Sequence, residues 1–243
     1  MLAKKRVKPI IILQLEALLR RLPANHSKVP EIEKELAKRR AGFRGEQSVD
    51  YYLSLLNEEK FDIFQDIRLP RDQHFFQMDS FLVSPNFLAI IEVKNISGTI
   101  HFDSVFSQLI RTIDGKEEGF HNPFSQLQHQ KNQLSDWLLD NKFPLLPIET
   151  LVVISNPSTI IKIVNGSSAL KHKISHASNL HEKIQRFEEF YKNPFINAAQ
   201  RKKLKRLLLK NHTERKTDLL QRMQISSESI LTGVRCESSS LMK

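Results

Sequence analysis

The sequence contains few of the residues that build covalent, metal-held or phosphate-binding scaffolds. One cysteine, Cys236, occurs among 243 residues, which excludes a disulfide framework and a complete zinc ribbon because each needs several thiols. The seven glycines form no GxGxxG or Walker phosphate loop. Hydrophobic residues at 40% and charged residues at 26% are ordinary globular values. Because a chain with one cysteine forms no internal disulfide, a reducing compartment, the cytoplasm, is the expected location.

Long apolar segments are also missing. No run approaches the roughly 18 residues that a membrane-spanning helix needs, so we expect no membrane span. Residues 1–22 place leucine and isoleucine at helical spacing behind four basic residues, which predicts an amphipathic basic helix. Binding of this helix to a membrane surface is one alternative function.

Positive charge is concentrated at the two ends of the chain. Residues 1–41 and residues 201–243 each carry 11 Lys or Arg against 4 Asp or Glu, whereas residues 42–200 carry 15 against 19. A mildly acidic centre between basic ends is typical of a phosphate-binding protein with an acidic metal site. Solvated helix faces give the same charge runs, so charge alone indicates only compatibility with a polyanionic partner.

Hydropathy patterns predict one α/β domain of about 160 residues with helical ends. Strands are predicted at 61–69, 73–83, 87–96, 150–155 and 160–164, and residues 98–102 either extend the third strand or begin a fourth. Helices are predicted at 1–22, 31–56, 123–138 and 179–191, and residues 195–224 are expected to form a long helix or a helix pair. The second helix is expected to break at Gly42 and Gly45, and residues 103–122 are expected to form a loop.

The hairpin around Pro85-Asn86 carries the most informative spacing. With these two as the loop residues, Asp79 lies opposite Glu92, with about 4.5–5.5 Å between their Cβ atoms. Lys94, two residues further on, shares the face of Glu92. The opposite face, which can be buried, then carries Met78, Ser80, Leu82, Ala89, Ile91 and Val93.

Two opposed carboxylates are destabilising unless a cation offsets their repulsion. Lys94 offsets part of it, and Mg²⁺, which prefers hard oxygen ligands, is better suited. A bound cation of this kind stabilises charge on phosphorus and acidifies water. A cross-strand salt bridge on a surface hairpin explains the same three residues without any chemistry.

The spacing of Asp79 and Glu92-Val93-Lys94 resembles the D…(D/E)xK signature of the PD-(D/E)xK nuclease superfamily. Met78 stands where that superfamily has proline. Four segments occur in order around it: Gly42-Phe43-Arg44-Gly45-Glu46, Gln77-Met78-Asp79, Ile91-Glu92-Val93-Lys94-Asn95 with Gly98, and Asn122-Pro123-Phe124-Ser125-Gln126. Together they resemble the NERD (nuclease-related domain) family over roughly residues 38–157.

This resemblance implies a restriction-endonuclease-like fold, a mixed central sheet flanked by helices with extra helical segments at both ends. It also implies hydrolysis of phosphodiester bonds in nucleic acid, with DNA as the expected partner and Mg²⁺ or Mn²⁺ as cofactor. The metal ligands it suggests are Asp79, Glu92, the backbone carbonyl of Val93 and, as a further candidate, Glu46. Lys94 matches the lysine of the signature, and Gln126 matches a supporting glutamine.

Each of these positions also has a simpler explanation. Glu46 suits the first turn of a helix, and Gln126 and His129 suit exposed helix positions. Asn122 before Pro123 is the expected N-cap of the following helix. A non-catalytic module that binds nucleic acid and retains the nuclease fold is therefore the main alternative.

The resemblance also suggests a division of the chain. We expect a basic N-terminal helical extension over 1–37, a nuclease core over 38–157, a C-terminal strand and basic helices over 158–224, and a flexible tail over 225–243. Thr232-Gly233-Val234-Arg235-Cys236 is similar to the start of a zinc ribbon that follows NERD domains, with Ser239 in place of the second cysteine.

Overall fold

The computed structural model describes residues 1–103, 106–163, 168–226 and 230. Its helices are α1 (Ile10–Arg21), α2 (Val29–Ser54), α3 (Pro123–Asp140), α4 (Ser168–His172), α5 (Leu180–Phe190), α6 (Ala198–Asn211) and α7 (Leu219–Met223). Its strands are β1 (Leu2–Lys4), β2 (Asp62–Arg71), β3 (His74–Val83), β4 (Leu88–Lys94), β5 (Thr99–Asp103), β6 (Gln108–Ile113), β7 (Lys116–His121), β8 (Ile148–Ile154), β9 (Ile160–Lys162) and β10 (Ile174–His176).

The chain divides into two compact units. One unit comprises Met1–Arg6 and Arg44–Glu214, and the other comprises Val7–Phe43 and the described part of Arg215–Lys243. The segment similar to a zinc-ribbon start, Thr232 to Cys236, and most of the predicted tail lie outside the described residues. Among the helices that are described, none is long and apolar enough to cross a membrane.

The larger unit is built on a six-stranded sheet in the order β1-β2-β3-β4-β8-β10. Strands β2, β3 and β4 pair antiparallel, whereas β8 runs parallel to β4 and β10 runs parallel to β8. A four-stranded sheet in the order β7-β6-β5-β9 follows. The predicted fold is confirmed: a mixed central sheet flanked by helices, with further helices near both ends, consistent with a restriction-endonuclease-like fold.

Strand β4 is buried on both faces, as its nearly continuous apolar sequence requires. Leu88 and Ile90 join a core that includes Leu134 and Trp137 of α3. Ala89 and the other odd-numbered residues join a second core, shared with α2 and α5. Because the two cores alternate along the strand, even-numbered β4 residues, including Glu92, are on the α3 side.

Three local predictions are wrong. Residues 2–4 form a strand parallel to β2 rather than the start of a helix. Helix α2 continues unbroken through Gly42 and Gly45, since a glycine inside a helix costs only about 1 kcal/mol. Residues 108–121 form the hairpin β6–β7 instead of a loop, with Asp114 and Gly115 both at positive φ in its turn.

The smaller unit has its own apolar core. Helix α1, the first part of α2 and α7 contribute Ile12, Leu15, Leu18, Leu22, Ile32, Leu36, Leu219 and Met223. Arg222 donates a hydrogen bond to Glu35 at 2.8 Å. The predicted amphipathic character of the first helix is confirmed, because its apolar stripe is buried here.

Candidate functional site

The end of β4 brings Asp79, Glu92 and Lys94 together. The β3–β4 register pairs Leu82 with Ala89 and Ser80 with Ile91, which is the predicted register. At the next position a side chain replaces a ladder bond, because Asp79 Oδ2 accepts the backbone N–H of Val93 at 2.9 Å. The carboxylate is therefore held in place by the strand that carries Glu92.

A local irregularity in β2 and β3 aims Asp79 at that N–H group. Asp66, in β2, has a φ of 53°, and both strands exchange their buried faces around this point. Met78 therefore lies in the same core as Phe81, rather than on the other face as predicted from strict alternation. Lys4 Nζ donates to the carbonyl oxygens of Gln65 and Asp66 at 2.8 Å each, which satisfies the irregular backbone.

Glu92 is only 2% exposed, and protein groups bind both of its oxygens. Lys94 Nζ donates to Oε1 at 2.7 Å, and Gln130 Nε2 donates to Oε2 at 3.3 Å. Lys94 also donates to Gln126 Oε1 at 3.3 Å. Lys94 and Gln126, both predicted from the sequence, therefore contact each other at the site.

Helix α3 supplies two glutamines because its start is fixed locally. Asn122 is the predicted N-cap and accepts the N–H of Phe124 at 2.9 Å, with Pro123 in the first position. Gln126 and Gln130 are four residues apart and therefore on one side of the helix. Gln130, which the sequence analysis missed, also donates to the carbonyl of Gln77 at 2.8 Å. Its Oε1 is buried without a partner among the described residues.

Arg6 is the largest omission from the predicted site. Its side chain is 3% exposed and contacts Glu46 at 2.5 Å and Asp50 at 2.9 Å. It also donates to the backbone carbonyl of Asp79 at 2.6 Å. The pairing of β1 with β2 places Arg6 here, and its backbone N–H donates to Gln65 Oε1 at 2.8 Å.

Comparison with known families agrees with this arrangement. Residues 41–155 match the family model of the nuclease-related domain, NERD. Just under half of the chain therefore matches the NERD family. This match confirms the resemblance drawn over residues 38–157, and NERD belongs to the PD-(D/E)xK-like nuclease group. No curated protein and no solved structure matches the chain.

The pKa values of two acids at this site, Asp79 and Glu46, are raised, which favours their protonated forms. Burial, with the charges of Glu92 and Glu46, raises the pKa of Asp79 well above its ordinary value. Burial also raises the pKa of Glu46 from 4.5 to about 7, against the opposing effect of Arg6. The site therefore carries more carboxylate than its own cations offset, which is the condition that a divalent cation relieves.

We expect a pH-dependent destabilisation from Glu46 in metal-free protein. Unfolded Glu46 loses its proton near 4.5 and folded Glu46 near 7, so the folded state binds more protons between these values. Raising the pH through this window therefore lowers the free energy of unfolding. We expect the free energy of unfolding of Glu46→Gln to rise relative to that of wild type by on the order of 2 kcal/mol between pH 5 and 8. Denaturant titrations in the presence of chelator measure this difference. If the difference in unfolding free energy between the variant and wild type does not change with pH, the pKa of Glu46 is not raised.

Gly45 lets α2 approach the end of β4. A Cβ atom there would lie 2.5 Å from Asn95 Cβ and 2.7 Å from Ser155 Oγ. Gly45→Ala should therefore displace the helix turn that carries Glu46 and cost about 1–3 kcal/mol of unfolding free energy.

Gly42 provides the matched control. A Cβ there meets nothing within 4 Å, so Gly42→Ala should stabilise the protein by about 0.5–1 kcal/mol. Thermal unfolding should show a lower midpoint than wild type for Gly45→Ala and a higher midpoint for Gly42→Ala. Equal effects of the two substitutions would show that Gly45 is not a packing position.

Larger metal-binding clusters are absent from the described residues. Within the described ranges, no group of three or more His, Cys, Asp or Glu residues could hold a metal ion. His129 is exposed on α3. His172 and His176, although four residues apart, end α4 and β10 respectively, so they do not share a helix face.

Asp79 and Glu92 form a smaller donor set. Mg²⁺ commonly binds through one or two carboxylates, with water and substrate phosphate completing its octahedron. The N–H and C=O of a strand residue point to the same side. We therefore expect the Val93 carbonyl on the side of Asp79. These hard oxygen donors fit Mg²⁺, whereas Glu46 is engaged by Arg6.

Proposed function

We propose that this protein is a metal-dependent nuclease that hydrolyses phosphodiester bonds in DNA. The NERD match supports a nuclease-related function. The observation that carries the proposal is the Asp79 carboxylate held on the Val93 N–H, beside buried Glu92 and the partly exposed Lys94. Burial and neighbouring acids raise the pKa of Asp79, and a perturbed acid beside a lysine is a feature of many catalytic sites.

In this proposal each side chain has a distinct role. Asp79, Glu92 and the Val93 carbonyl would hold Mg²⁺ or Mn²⁺, which supplies charge stabilisation at phosphorus and acidifies water. Lys94, whose ammonium lies 2.7 Å from Glu92, orients the attacking water. Gln126 fixes the Lys94 ammonium, and Gln130 fixes Glu92. Arg6 keeps Glu46 and Asp50 in place on α2.

One observation favours the alternative of a non-catalytic nucleic-acid-binding module. Both oxygens of Glu92 are already bound by Lys94 and Gln130, so a metal has to compete with protein donors. The alternative predicts salt-dependent DNA binding that does not change with Mg²⁺ or on substitution of Lys94.

Lys94→Met separates the two functions. Wild type should cleave labelled single- or double-stranded DNA with Mg²⁺ or Mn²⁺ and not with chelator. Loss of the ammonium should reduce cleavage about 10²-fold or more, because the attacking water is no longer positioned. Lys116→Met, on the exposed hairpin β6–β7, is the matched control and should cleave like wild type. Absence of product from wild type, or equal cleavage by Lys94→Met, would support the binding module.

A further inference from the structure

A cleft lies at the opposite end of the central strands from Asp79 and Glu92. It has a volume of about 830 Å³ and lies between the β3–β4 turn and α6, within the range of ligand sites in general. The backbone N–H groups of Phe195 and Ile196 donate to the carbonyl of Pro85 at 2.9 and 3.2 Å. These bonds hold the segment before α6 against the turn, so the cleft has a fixed wall.

The charge of this cleft is strongly positive. Four cations and one carboxylate line it: Arg201, Lys202, Lys205, Arg206 and Asp62. Arg201 and Lys205 bind the two oxygens of Asp62 at 2.8 and 2.9 Å. Lys202 and Arg206 are exposed and form no ion pair with any residue that the structure describes. They are one helical turn apart, and therefore adjacent on α6.

The cleft also presents apolar surface next to these two cations. Phe195 is 48% exposed and Leu209 is 41% exposed, and both line the cleft. An exposed aromatic ring beside unpaired basic groups matches the two components of single-strand recognition, which are base stacking and phosphate contact. A base inside a duplex is already stacked and cannot use this ring in the same way.

We propose that this cleft binds a single-stranded segment of nucleic acid. Lys202 and Arg206 contact phosphates, and Phe195 stacks on a base. This assignment rests on the proposed function in one respect, since it makes the bound segment part of the strand that reaches Asp79 and Glu92.

The fold sets the length of strand that reaches both places. Leu204 and Leu208 of α6 pack into the same core as Leu88 and Ile90, which places α6 on the Glu92 side of the sheet. From Pro85 to Glu92 the chain covers about 23 Å at the strand rise of ~3.3 Å per residue. That distance corresponds to about seven nucleotides at the stacked spacing of ~3.4 Å, and to fewer in an extended single strand. Shorter substrates therefore reach the catalytic residues without using the cleft.

Charge reversal tests the assignment directly. The variant Lys202→Glu/Arg206→Glu should bind a fluorescent 25-nucleotide DNA strand about tenfold more weakly in chelator at moderate salt. The control Lys203→Glu/Lys210→Glu makes the same change in net charge on the same helix outside the cleft, and should change affinity less than about threefold. Phe195→Ala should weaken binding about fivefold or more through lost stacking. Thermal unfolding confirms that each variant is folded.

Cleavage assays keep this inference separate from the proposed function. The cleft variant should cleave a dinucleotide, which is too short to reach the cleft, like wild type and the 25-nucleotide strand less efficiently. If no protein cleaves DNA, the proposed function fails while the binding comparison still decides the role of the cleft. Equal weakening in the cleft and control variants would overturn the inference. Displacement of the strand by deoxyadenosine monophosphate at equal concentration would also overturn it, because the cleft would then be a free-nucleotide site.

Discussion

Asp79→Asn should abolish metal-dependent cleavage and at the same time stabilise the protein. A metal ligand contributes several kcal/mol of charge stabilisation in the transition state, so the rate should fall about a thousandfold or more. Asparagine retains a side-chain oxygen, which can accept the hydrogen bond that the Val93 N–H donates to Asp79 Oδ2 at 2.9 Å in wild type. It also removes a charge that the fold disfavours, since burial raises the pKa of Asp79. At pH 8 the free energy of unfolding should therefore rise.

A substitution that lowers activity and raises stability identifies a functional acid, whereas loss of a structural acid lowers stability. Asp114→Asn is the matched control, because Asp114 is an exposed turn residue with a φ of 49° that asparagine adopts equally well. That variant should retain both activity and stability. If Asp79→Asn cleaves like wild type, Asp79 is not a metal ligand, and if the variant is less stable than wild type, the Asp79 charge is not disfavoured by the fold. Denaturant unfolding and cleavage rates, measured on the same preparations of wild type and both variants, provide this comparison.

Arg6→Ala should be the most destabilising of these substitutions, at about 3–5 kcal/mol of unfolding free energy. The guanidinium is the buried partner of Glu46 and Asp50, and its removal leaves their charges uncompensated. Lys5→Ala, an exposed neighbour in the same segment, should change stability by less than about 0.5 kcal/mol. Chemical denaturation of the two variants checks the difference.

A double-variant cycle identifies the cause of that loss. If the unpaired carboxylate of Asp50 is responsible, Asp50→Asn should cost less in the Arg6→Ala background than in wild type. An additive result would instead attribute the loss to the packing of the arginine stem. The free energies of unfolding of wild type, the two single variants and the double variant are all measured at pH 8.

Local chemistry explains which parts of the site could be predicted. The two-residue loop Pro85-Asn86 sets the register of the hairpin, so Glu92 and Lys94 follow from counting along the strands. Asn122-Pro123 sets the start of α3 and with it the side that carries Gln126. Each of these signals lies within a few residues of the structure it determines. The roles of the resulting site residues stay predictions until they are tested.

Pairing over long distances explains what the sequence did not reveal. Arg6 reaches the site because β1 pairs with β2, some 60 residues further along the chain, and no local pattern indicates that pairing. Asp50 follows Glu46 by four residues on α2, a spacing that offered a usable signal. The Asp114-Gly115 turn was likewise a recognised hairpin signal, but the polar strand β7 lacks the apolar alternation by which strands are detected.

Metal binding at Asp79 and Glu92 is the most direct test of this account. Titration calorimetry with Mg²⁺ and with Mn²⁺ should compare wild type with the Asp79→Asn/Glu92→Gln variant, alone and with a non-cleavable phosphorothioate strand. The account predicts binding to wild type, with release of protons because the pKa of Asp79 is raised, and no binding at this site in the variant. Equal binding by both proteins, or no binding by wild type even with the strand present, would contradict it.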